Sequence, residues 1–496
     1  MSLSPELEST RREIAAHARD YGLDFFEVIF EMVDFETMNQ IAAYDGFPVR
    51  YPHWRFGMEY NRMSKAYAYG LQKIYELVIN TDPCYAYLMN CNRFVDQKTI
   101  MAHVYGHSDF FKNNASFAHT HRKMVDVMAN HGRQIRGYME RYGEEKVEDF
   151  LDTCLSLENL IDFHNPHILR YETKERPVAG YDDPQDEMPN FRLKSKPHME
   201  KFINPTDYLK DQEQQYKDDQ KAYKEQFPSE PFRDVLLFLI QHAPLENWQN
   251  EVLAIVRDEA LYFAPQRATK IMNEGWASYW HSTIMTQKAA KSSEIVDFAD
   301  LHAGTVAMSG KQLNPYKMGL EIFRNIEERW NTGRFGKAYD EITTYAEKKA
   351  WNKDLGLGRQ KIFEVRRVYN DVMFLDEFLT MELCEEMKLF TFAYNGNTEQ
   401  YEIASRQFQD IKRKLLTSLT NFGEPDIRVT DGNFANRGEL LLEHLHEGVD
   451  LKQDFAQDTL RNLYRVWKRP VNLETRVDDR KVRMSFDGSD HSSKII

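Results

Sequence analysis

The order in which helical and extended patterns succeed one another constrains this chain most. From Glu6 to about Arg367 most segments carry helical spacing, and short β-patterned runs gather only after Lys388. Glu6–Arg19 is rich in good helix formers and stops at Tyr21-Gly22. Leu23–Ala43 places Phe26, Ile29, Phe30 and Val33 at helical spacing, which predicts a second helix, and another is expected over Tyr60–Ile79. Prolines 177, 184, 189, 197, 205, 228 and 231 punctuate a charged stretch that reads as an extended insertion with one polar helix near Asp211–Phe227. Beyond it, Lys388–Tyr394, Tyr401–Ala404, Asp426–Thr430 and Gly438–His444 read as strands, as do two runs within Val471–Phe486. Phe408–Leu419 and Phe455–Trp467 read as helices, and the tail Gly488–Ile496 as frayed. The expected class is α+β, a mainly helical body with a small C-terminal α+β module. The expected division is 1–170 and 232–370 for the two parts of the body, 171–231 for the insertion and 371–496 for the module.

Charge and composition remove several function classes. There are 64 basic against 78 acidic side chains, a net charge of −14, which argues against general binding to nucleic acid or anionic membranes. The longest clean apolar run, Val235–Ile240, falls far short of the roughly 20 residues of a membrane helix. The first residues lack a charged-then-apolar secretory pattern. Cys84, Cys91, Cys154 and Cys384 are scattered, so neither a disulfide framework nor a cysteine zinc ribbon is expected. A soluble, reduced, cytoplasmic protein follows, with no nucleic-acid partner and no membrane insertion.

Two helical segments carry candidate chemistry. His103 and His107 lie four apart, so both imidazoles project from one helix face together with Ile100, Val104 and Phe111. That is the geometry by which HExxH helices present two ring nitrogens to one zinc ion. The bare HxxxH spacing also fits ordinary core histidines. In the second segment, Met272–His281, Glu274, Ser278 and His281 share a face, and Trp276 and Trp280 occupy another. A Glu–His pair satisfied by hydrogen bonds fits that helix taken alone. Taken together, the two helices match a layout in which one supplies HxxxH and a later one a glutamate third ligand. The expected metal residues are therefore His103, His107, Glu274 and His281, holding a divalent ion: zinc first, with iron and manganese compatible with the same donors.

The base position departs from the hydrolytic motif. There a Glu follows the first His and takes a proton from metal-bound water; here Val104 stands in its place. Glu259, on an apolar face with Val252, Val256 and Phe263, is the candidate replacement, against a buried salt bridge to an arginine. Tyr105 is a candidate for polarising a carbonyl, against simple packing. His302 reads first as a capping residue, and Asp431–Gly438 as a hairpin connection. Whether the chain is an enzyme stays open at this point.

The blocks Tyr51-Pro52-His53-Trp54-Arg55-Phe56-Gly57-Met58-Glu59, Val78-Ile79-Asn80-Thr81, Pro83–Leu88, His103–His107, Asp109–Asn114, Met272–Ala277 and Asp431–Gly438 resemble the SpoVR family, stage V sporulation protein R. The resemblance extends over nearly the whole chain. It implies a bacterial, cytoplasmic protein linked to the spore cortex, or to a stationary-phase or stress response in bacteria that do not sporulate. It also implies partnership with a PrkA-type serine protein kinase and a protein with a von Willebrand A-like domain. No agreed reaction comes with it. Three functions follow as expectations: a zincin-like amide hydrolase, a non-catalytic partner of the kinase and, third, a non-haem iron oxygenase-type site, which a two-histidine, one-carboxylate set permits.

Overall fold

The computed structural model describes residues 3–68, 76–168, 227–308, 313–395 and 400–496, with short pieces between 199 and 211. Most of the expected insertion 171–231 lies outside the described residues. The chain is mainly helical with a small C-terminal sheet, an α+β protein. It divides into two compact units, one of 1–151 with 258–424, the other of 152–257 with 425–496. The last boundary of this division falls at 425, whereas the sequence pattern suggested 371.

In the first unit, two helices sit at the centre. Phe94–Asn113 is buried at every position from Val95 to Phe111, and Lys270–Ile284 at every position from Ile271 to Ser282. A helix with no exposed face belongs inside a core. These two pack against each other and, on the second, against Pro315–Thr332. Glycines set the approach. A Cβ on Gly106 would stand 2.7 Å from Cα of Ala277, and one on Gly319 only 2.1 Å from the carbonyl oxygen of Ile271. Trp276 fills the space beside the crossing, with Phe323 and Phe363 edge-on at 5.2 Å each, and its indole N–H donates to Asp109 at 2.8 Å.

The helix expected over Leu23–Ala43 is instead a strand followed by a helix. β1 (Val28–Val33) runs parallel to β3 (Cys84–Met89), and β2 (Glu76–Ile79) pairs antiparallel on the other side of β3. The β-branched and aromatic run of β1 suits a pleated, half-buried surface. Asp34 then caps Phe35–Ala43 by accepting from the Thr37 amide. β2 likewise replaces the end of the helix expected over Tyr60–Ile79, which runs from Trp54 to Ala68. Tertiary pairing overrides local spacing in both cases.

In the first unit β4 (Thr391–Asn395) and β5 (Gln400–Ser405) pair antiparallel. The second unit holds a five-stranded sheet in the order β10-β9-β8-β7-β6, with β6 Ile427–Phe434, β7 Glu439–His444, β8 Val471–Val477, β9 Arg480–Phe486 and β10 His491–Ile495. β7 and β8 are parallel, joined through the helix Gln453–Trp467, which buries Ala456, Leu460, Leu463, Val466 and Trp467 on one stripe. The tail expected to fray is β10, paired antiparallel with β9 from Phe486 to Val482. Asp431–Gly438 spans the β6–β7 hairpin, where Ala435 and Asn436 take positive φ. No helix among the described residues is long and apolar enough to cross a membrane.

Candidate metal centre

The crossing of the two central helices brings His103, His107 and Glu274 together, buried, with one donor atom from each within 4.8 Å of the others. Oε2 of Glu274 lies 3.5 Å from Nε2 of His103 and 3.4 Å from Nε2 of His107. Donors about 2.0–2.1 Å from a tetrahedral ion stand about 3.4 Å apart. The two Glu–His separations match that edge and are long for hydrogen bonds.

Each donor is backed from outside. Nδ1 of His107 is 2.9 Å from Oδ1 of Asn273, one residue before Glu274. A carbonyl oxygen only accepts, so Nδ1 carries a hydrogen; Nε2 then faces the carboxylate with a lone pair in the neutral ring and with an N–H in the protonated one. A lone pair there would repel the carboxylate unless a cation, a proton or a metal ion, lay between them. Nδ1 of His103 meets Nδ1 of His281 at 2.9 Å, and Nε2 of His281 meets Nδ1 of His302 at 2.9 Å. Two ordered sets of tautomers satisfy this string. A metal on Nε2 of His103 selects the one in which His103 donates to His281 and His281 to His302. Tyr316 stacks on His103, with ring centroids 6.0 Å apart.

Electrostatics agree with this geometry. Burial pushes Glu274 toward the neutral form, but the Lys270 ammonium and the two imidazoles outweigh it and hold the carboxyl well below its usual range. Lys270, 57% exposed, reaches Oε1 from solvent and marks the accessible edge of the site. Burial, reinforced by neighbouring imidazoles, drives His281 well below the ordinary imidazole range. Burial and the charges of Arg324 and Lys317 lower His302 too.

The other expected residues lie in different surroundings. His281 stands behind His103 as its Nδ1 partner, on the ring edge opposite the one facing Glu274. Glu259 is held by Arg50 at 2.7 Å, Tyr51 at 3.3 Å and His131 at 3.0 Å, so the salt-bridge reading of this buried carboxylate describes its contacts. Tyr105 accepts from Arg11 at 3.4 Å and packs on Phe25 at 4.6 Å. Neither residue enters the hydrogen-bond string around His103. His302 does, at its far end.

Sequence reasoning missed Asn273, although it sits beside Glu274 in one of the quoted blocks, and it missed Lys270, one turn ahead. It also missed Asp371, whose carboxylate accepts the amides of Ile271 at 2.8 Å and Met272 at 2.9 Å and so caps the Glu274 helix. No local signal ties Asp371 to a helix a hundred residues away.

Fold and site together define an α+β protein built around a buried two-histidine, one-carboxylate cluster. The chain belongs to the SpoVR family: the family described as SpoVR like protein matches residues 2–424, and the SpoVR-like C-terminal domain matches 425–478. A relative from Escherichia coli (strain K12), called "Uncharacterized protein YcgB", is 29% identical over 500 residues, covering 95% of this chain and 92% of its own. No solved structure matches. The 424/425 family boundary coincides with the boundary of the second compact unit.

Proposed function

We propose that this SpoVR protein holds a divalent metal ion on His103, His107 and Glu274, zinc before iron or manganese. The observation that carries the reading is the facing of two imidazole Nε2 atoms and one carboxylate Oε2 at 3.4 and 3.5 Å inside a buried crossing. The partners Asn273, His281 and Lys270 support it, as outer contacts that orient such ligands. A bound ion would supply Lewis-acid polarisation of a carbonyl and a more acidic water. The chain's own groups would fix the imidazoles, shield the site from bulk water and leave the Lys270 edge open. On this reading the first unit acts as a zincin-like metal-dependent amide hydrolase on a peptide or peptidoglycan precursor. That suits the family's link to the spore cortex and to stationary-phase or stress responses in the bacterial cytoplasm.

A second reading has a specific observation in its favour. Val104, where the hydrolytic motif has its base, is 0% exposed in the apolar core, and Glu259 is neutralised by Arg50. On that reading the metal is structural and the protein is a regulatory partner of a PrkA-type serine kinase and a von Willebrand A-like protein. Zinc-loaded protein and the His103→Ala/His107→Ala/Glu274→Ala variant are incubated with peptide and peptidoglycan fragments, and both are tested for kinase co-purification. Amide cleavage by the first alone supports the hydrolase. No cleavage, with co-purification unaffected by the substitutions, supports the partner.

A further inference from the structure

Ser278 lies on the same stripe of its helix as Glu274 and His281, four residues after one and three before the other. Glu274 touches His103 at Nε2, at 3.5 Å, and His281 touches it at Nδ1, at 2.9 Å. Ser278 stands between these two contacts along the helix. Ser278 is 0% exposed, and among the described residues its Oγ has no hydrogen-bond partner.

That vacancy is unusual in this helix. A buried serine inside a helix ordinarily bonds back to a carbonyl of the preceding turn. Ser282 does so to Tyr279 at 2.9 Å, and the partly buried Thr283 to Tyr279 at 2.8 Å. A buried hydroxyl left without a partner destabilises the fold, and alanine would fit the same helix position without that penalty.

We propose that the Ser278 hydroxyl is a ligand-binding group of the metal centre, donating a hydrogen bond to an oxygen-donor ligand that occupies the position the three protein donors leave open. The ligand class is an oxyanion or carbonyl compound: a carboxylate, a hydroxamate or an amide oxygen. The inference rests on metal binding at His103, His107 and Glu274. It names Ser278, between Glu274 and His281 on the helix, as the protein group that meets this ligand.

The test uses the full chain loaded with Co²⁺, whose visible spectrum reports its ligands, with acetohydroxamic acid as probe. Ser278→Ala is expected to keep Co²⁺ affinity within about twofold and to bind acetohydroxamate about tenfold more weakly, the loss of one hydrogen bond. Metal-free Ser278→Ala is expected to melt a few degrees higher than wild type, because it loses a buried unsatisfied hydroxyl. Ser278→Cys, a weak donor of similar size, is expected to follow the alanine variant in acetohydroxamate affinity. Equal acetohydroxamate binding by wild type and the variants overturns the assignment, and so does a lower melting temperature for metal-free Ser278→Ala. Failure of wild type to take up Co²⁺ at all overturns the metal centre itself, and this inference with it.

Discussion

Asn273 orients His107: its Oδ1 lies 2.9 Å from the imidazole Nδ1, while the next residue, Glu274, faces the other ring nitrogen at 3.4 Å. One short stretch of helix thus supplies both a donor and the group that aims a second donor at it. Outer partners of this kind typically contribute 10–100-fold to metal affinity. Asn273→Ala is expected to weaken zinc binding by about that factor and to leave the far-ultraviolet circular dichroism unchanged. Competition titration against a chromophoric chelator measures it; an affinity equal to wild type contradicts the role.

Gly106 sits between the two histidines and against Ala277. Its Cβ-less backbone is required because a methyl there would meet backbone, 2.7 Å from Cα of Ala277, and no side chain can move aside. Gly106→Ala is expected to spread the helices, destabilise the first unit by ~1–3 kcal/mol and weaken metal binding. Urea denaturation and the same titration read both effects. Normal stability with normal metal affinity contradicts the close crossing.

The Arg50–Glu259 pair ties together two parts of the chain 209 positions apart. Both side chains are buried, 4% and 6% exposed, so Arg50→Met leaves a carboxylate with too few partners and is expected to cost ~3–5 kcal/mol. Metal content is expected to stay at the wild-type level. Loss of metal at unchanged stability would instead tie Glu259 to the metal centre.

Asp371 links pH to stability. Burial, opposed by the amides of Ile271 and Met272 and by Lys270, raises its pKa from 3.8 to about 7. The folded chain therefore holds this proton between about pH 4 and pH 7 while the unfolded chain has released it, so Asp371 lowers stability as pH rises through that window. Asp371→Asn cannot ionise. Relative to wild type its unfolding free energy is expected to climb by up to ~4 kcal/mol from pH 4 to pH 7 and to level off above. A constant difference across that range contradicts the buried ionisation.

The grouping of His103, His107 and Glu274 was legible because helical spacing is local: four residues separate His103 from His107, and the Glu274–Ser278–His281 stripe follows from the same period. Strands β6 to β9 of the C-terminal sheet were legible from alternation between turn signals, whereas β10 reads in the sequence as a frayed tail. β1 was not, because Phe26, Ile29, Phe30 and Val33 satisfy a helical period as well, nor was β2, whose Glu76–Ile79 reads as the end of a helix from Tyr60; only pairing with Cys84–Met89 decides. The place of His281 behind His103 was hidden for a similar reason. Spacing shows which face a side chain leaves from, whereas the choice between ligand and outer partner depends on which ring nitrogen meets which neighbour. Glu259 was recognised as buried, but Arg50 lies 209 positions away, and nothing local distinguishes a paired carboxylate from a free one.

The metal content of the full chain, purified without chelator or added metal and measured by inductively coupled plasma mass spectrometry, addresses the centre most directly. About one zinc, iron or manganese ion per wild-type chain is expected, falling to background in folded His103→Ala and Glu274→Gln and staying near one in Glu259→Gln. Metal-free wild type that also fails to take up zinc on titration would contradict it.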